Sequence, residues 1–90
     1  MIVRLIEATS EGGGLHLEEV YINSEQVVCV REAPKPYIYE NKYPEGMDKR
    51  TEFSRVYLDH GQNGLTLTVV GSPTLIESKF NAAKQQLLKG

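Results

Sequence analysis

Tryptophan is absent from this chain, phenylalanine occurs twice and cysteine once. Burial must therefore rest on Leu, Ile and Val, and in 90 residues the resulting core is small, a circumstance in which oligomerisation often adds stability. The lone Cys29 excludes an internal disulfide and suits a reducing compartment. No run approaches the roughly 20 apolar residues of a membrane helix. The opening Met1-Ile2-Val3-Arg4-Leu5-Ile6-Glu7 lacks the charged leader and apolar stretch of a signal peptide. The expectation is a soluble cytoplasmic protein with no membrane partner. The net charge of −2 gives no field of either sign that would draw the chain to nucleic acid. His16 and His60, the two histidines, are not at a metal-ligand spacing. No metal or other cofactor is expected. Asp59-His60 has the composition of an acid–base pair, but no serine or cysteine nucleophile can be placed beside it, so it reads as a solvated turn. No catalytic residue is assigned, and the chain is not expected to be an enzyme.

An apolar share of 40% with 24% charged residues belongs to an ordinary globular chain, and residues 1–90 are expected to form a single domain. Strands are expected over 2–8 and 15–23, joined by Thr9-Ser10-Glu11-Gly12-Gly13-Gly14, whose glycines permit a tight reversal. The triple glycine lacks the later Gly-Lys-Ser/Thr of a phosphate loop. Val20 and Ile22 share one face, and Glu19, Tyr21 and Asn23 the other. Asn23-Ser24-Glu25-Gln26 reads as one capped helical turn, and a third strand follows over 27–33. Within it Cys29 reads as a small hydrophobe, with Arg31 the only nearby cation.

Phe53, Arg55 and Tyr57 alternate with Ser54, Val56 and Leu58 in a fourth strand over 53–59 with one side wet. Residues 59–64 form a turn by composition, with Asn63-Gly64 its strongest signal, before a fifth strand over 65–70. Ser72 then caps a helix over 73–89 with Pro73 in its first position. Its stripe of Ile76, Phe80, Ala83 and Leu87, widened by Leu75 and Leu88, is expected to pack on the sheet. The fold expected is α+β, a five-stranded antiparallel sheet or small open barrel with one C-terminal helix packed on it.

Residues 34–51 interrupt this pattern with an 18-residue tract that holds three of the four prolines and three of the five tyrosines. Connections longer than about 12–15 residues are usually working loops or disordered ones, so the functional surface is expected here. Lys35, Lys42, Lys49 and Arg50 stand against Glu40, Glu45 and Asp48, a local balance of +1. Tyr37 and Tyr39 fall on one face if the tract extends the third strand, with Lys35 at the same parity. The candidate binding residues are Lys35, Tyr37, Tyr39, Lys42, Tyr43, Arg50 and Arg55. Tyrosines with a polar rim suit a protein contact, including a contact between copies in a homo-oligomer. The same groups suit a nucleotide-like or other small anionic ligand, held between subunits by ring stacking and arginine. Single-stranded nucleic acid is disfavoured, because Glu40, Glu45, Asp48 and Glu52 interrupt any basic track. A non-enzymatic accessory protein that self-associates through the tract is the leading expectation.

Three segments, Met1-Ile2-Val3-Arg4-Leu5, Val20-Tyr21-Ile22-Asn23-Ser24-Glu25-Gln26-Val27, and 65–70 with Ser72-Pro73, resemble small FlbD/SwrD-like proteins of flagella and swarming and similar short bacterial or phage-encoded chains. The resemblance spans about half the chain and implies an accessory role in motility. The tract at 34–51 and the longer helix depart from that pattern.

Overall fold

The computed structural model describes residues 1–12, 14–35, 43–44, 46–47, 50–60 and 63–89, with the side chains of all of these except 11, 60, 63 and 83–89. Strands β1 (Ile2–Glu11) and β2 (Gly14–Asn23), a single 3₁₀ turn (Ser24–Gln26), β3 (Val27–Glu32), β4 (Phe53–His60) and β5 (Asn63–Val70) precede one helix, α1 (Pro73–Lys89). All ladders are antiparallel and the strand order is β2-β1-β5-β4-β3. The fold is the expected α+β arrangement, and the sheet is open.

The first hairpin is tighter than its sequence suggested. Residues 9–11 belong to β1 and the ladder runs to Glu11 opposite Gly14, leaving a two-residue reversal in which Gly12 has φ +57°, the geometry that suits strand twist. The second hairpin turns two residues earlier than expected. His60 pairs with Asn63, so Asn63-Gly64 opens β5 instead of forming the turn. This register places Phe53 opposite Val70; a turn centred on Asn63-Gly64 would slide β5 past the start of β4 and leave Phe53 and Ser54 without partners. β3 ends at Glu32, one residue short of expectation.

The two edge strands, β2 and β3, are joined by the 3₁₀ turn alone. Asn23 caps it, its Oδ1 accepting from the Glu25 N–H at 3.1 Å, and the Ser24 N–H donates to the Met1 carbonyl at 2.9 Å. Four Cα steps reach roughly 14 Å at most, whereas the edges of a flat five-stranded sheet lie about 19 Å apart. The sheet must therefore coil until its edges approach at this turn, and the turn itself comes to lie beside β4. A bulge in β3 between Val27 and Cys29 bends that edge further and turns Val28 out to 67% exposure.

Both faces of the sheet carry apolar clusters, where sequence alternation suggested one wet side. On the first face Val3, Leu5, Ile22, Val56 and Val69 are buried under Ile76 of the helix, with Phe80 packed alongside. Leu75 is exposed, so it does not widen the helix stripe as expected. Ala83, Leu87 and Leu88 lie outside the described side chains. Ser72 Oγ accepts from the Leu75 N–H at 3.2 Å, the expected N-cap. Gly71, φ +124°, lets the chain turn from β5 into α1, and buried Ser54 donates through Oγ to its carbonyl at 2.7 Å. On the second face Ala8, Ala33 and Phe53 form a smaller buried cluster, flanked by Leu15, Leu17, Val70 and Met47. Met47 belongs to the tract, so the tract supplies part of the cover on this side.

Candidate functional site

The tract is tied to the sheet where it leaves β3 and again at Met47. Beyond Glu32 the Ala33 N–H donates to the Phe53 carbonyl at 3.0 Å, continuing the β3–β4 pairing, and Ala33 is buried. Pro34 and Lys35 then leave at the surface. On the return side the Met47 N–H donates to the Pro44 carbonyl at 3.0 Å across a turn in which Gly46 has φ +82°, a conformation open to glycine at no steric cost. That turn delivers Met47 onto Ala8, Ala33 and Phe53. Tyr43 and Pro44 just before it are half-buried.

Two clefts meet at Lys35. One, of about 310 Å³, lies between the roots and is lined by Glu32, Lys35, Arg50 and Glu52 among others, so its charges balance. The other, of about 460 Å³, runs across the second sheet face and is lined by Thr9, Ser10, Lys35, Arg55 and Thr68 together with Ala8. Among the described residues no carboxylate lines this second cleft. Arg55 is held there by the β4–β5 ladder, which sets it opposite Thr68. On its other side the β3–β4 ladder sets it opposite Arg31.

Of the residues expected to bind, Lys35, Arg50 and Arg55 are brought to adjoining clefts, and Tyr43 sits beside the turn that seats Met47. Tyr37, Tyr39 and Lys42 lie outside the described residues. Sequence reasoning had Arg31 only as a cation near Cys29. Its place opposite Arg55 depends on the β3–β4 register across the bulge, which local pattern does not reveal. Met47 was missed because a single methionine in a polar stretch carries no periodicity. Cys29 is half-buried beside Tyr57 at the edge.

Asp59 and His60 end β4 instead of forming a turn. Among the described residues no group of three His, Cys, Asp or Glu side chains is placed to hold a metal ion, and no helix is long and apolar enough to cross a membrane. No protein-family model, curated protein or solved structure matches the chain.

Proposed function

We propose that the chain is a non-enzymatic accessory protein that self-associates and meets its partner, another protein or a second copy, through the 34–51 tract. The observation that carries this reading is the seating of Met47 on the Ala8–Ala33–Phe53 cluster. Fastening at Ala33 and at Met47 lowers the ordering cost of a contact made beside those points relative to a free loop. Tyr43 beside that anchor is an aromatic group of the type interfaces favour. The small core and the exposed Val28, Leu65 and Leu75 are consistent with further burial in an assembly. A cytoplasmic setting belongs to the same reading, in keeping with the single free Cys29. The flagellar and swarming resemblance of the opening strand, the strand-turn-strand segment and the helix start points to the same class of small accessory chain.

The test is replacement of Tyr37 and Tyr39 together by alanine. Sedimentation should shift to a smaller species and partner capture should fall, while helix content by circular dichroism stays constant. Unchanged sedimentation and capture would refute the tyrosines as anchors. A second reading, a small anionic ligand at this surface, is favoured by the cleft around Lys35 and Arg55, which no described carboxylate lines.

A further inference from the structure

Arg31 of β3 stands directly opposite Arg55 of β4. Like charges so placed destabilise a strand pair, their Cβ atoms being only about 4.5–5.5 Å apart. Both side chains are exposed, as is Lys35, and none of the three forms an ion pair with a described residue. By contrast Arg4, on the β1–β2 ladder, has its carboxylate partner Glu19 at 2.9 Å. A chain with net charge −2 thus sets Arg55 and Lys35 on a cleft that no described carboxylate lines, with Arg31 beside Arg55 on the next strand, lining a neighbouring pocket with Tyr57.

We propose that Arg31, Arg55 and Lys35 form a receptor for the phosphoryl group of a small phosphorylated molecule. A carboxylate has two oxygens and one charge, enough for one guanidinium fork. A phosphoryl dianion has three free oxygens and offers both arginines a charge-assisted contact while cancelling their repulsion. Thr68, opposite Arg55, and Ser10 across the cleft supply hydroxyl donors. The cleft's volume of about 460 Å³ falls within the range of small-molecule sites. Tyr57 lies two residues beyond Arg55 on the same strand, hence on the same face, and lines with Arg31 the neighbouring pocket, where its ring is offered for stacking the rest of the ligand. The inference rests on reading the chain as a binding protein, but not on what its tract contacts.

The test uses the full chain titrated with sodium pyrophosphate and, separately, with AMP, each against sodium chloride at matched ionic strength, followed by thermal melting and calorimetry. A saturable rise in Tm is expected with pyrophosphate, and a larger one with AMP if Tyr57 stacks the base. Arg55→Gln and Arg31→Gln should each weaken binding about tenfold or more. Each should also raise Tm in the absence of anion, because the opposing charge is relieved. A purely structural arginine would not show that second effect. Absence of a saturable response to both probes, or unaltered affinity in the Arg31→Gln/Arg55→Gln double variant, overturns the proposal. Sedimentation of the same samples separates the two ideas: tract-dependent self-association that persists without any anion response defeats the receptor and leaves the contact function standing.

Discussion

Replacing Met47 by alanine tests whether the tract is part of the fold or merely attached to it. Met47 is half-buried and rests on Ala8, Ala33 and Phe53, with Leu15, Leu17 and Val70 around them. A methionine wholly enclosed in a core costs about 2–5 kcal/mol when cut to alanine, and one covered on a single side should cost about 1–2 kcal/mol on the same scale. In a domain of this size 1 kcal/mol moves Tm by roughly 4–8 °C, so Met47→Ala should melt roughly 4–15 °C below the parent. The protein stays folded, because that loss is small beside the about 5–15 kcal/mol of a typical domain. Phe53→Leu in the same background gives the stricter measurement. If the two side chains touch, the double variant departs from additivity by about 0.5 kcal/mol or more. Additive losses, or a Met47→Ala melt indistinguishable from the parent, would refute the anchoring and with it the argument that the tract is held in place. Deleting residues 35–50 removes Met47 together with the contact groups, so Met47→Ala is also the control that separates lost stability from lost contact.

Gly71→Ala should cost about 1–3 kcal/mol by chemical denaturation, since φ is +124° and a Cβ there would come within 3.1 Å of Leu75 Cδ2 and 3.2 Å of Ile76 Cδ1; a neutral result would show that the β5–α1 corner is not constrained. Ser54→Ala removes the buried hydroxyl that donates to the Gly71 carbonyl and should cost about 1–3 kcal/mol, readable in the same denaturation curves. Ser72→Ala deletes the N-cap contact to the Leu75 N–H and should lose about 1 kcal/mol, with helix content by circular dichroism melting earlier. Arg4→Ala breaks an ion pair whose partners are 61% and 53% exposed and should leave Tm within the scatter of replicate melts.

Local chemistry made the elements legible. The β-branched runs, the glycine reversal, the Asn23 cap and the Ser72-Pro73 helix start all act over a few residues, and each lies where the pattern placed it. The ends of the elements were harder, because pairing decides them: Thr9, Ser10 and Glu11 look like a turn until His16, Leu15 and Gly14 are there to pair with them. The candidate site was legible in part for the same reason. Lys35, Arg50 and Arg55 were expected from the composition of the tract and its flank, whereas Arg31 and Met47 enter only through long-range contacts.

The two sheet faces together give the tract a part in the fold. A sheet with one wet face needs one cover, and α1 supplies it over Val56, Val69 and Leu5. Phe53 and Ala8 project to the opposite face and are nevertheless buried, so a second cover is required there, and Met47 is a described part of it. A segment that shields a small core cannot be freely remodelled without exposing that core, so the contact proposed for the tract would be coupled to stability of the domain. Charge follows the same rule of space over sequence. Counted along the chain, residues 34–51 carry +1 and the remainder −3, a distribution that points nowhere. Folding places Arg31, from outside the tract, opposite Arg55, and brings Arg55 into one cleft with Lys35. Partner affinity and anion affinity should therefore respond to different substitutions, Tyr37 and Tyr39 for the first and Arg31 and Arg55 for the second, although both surfaces share the roots of one tract.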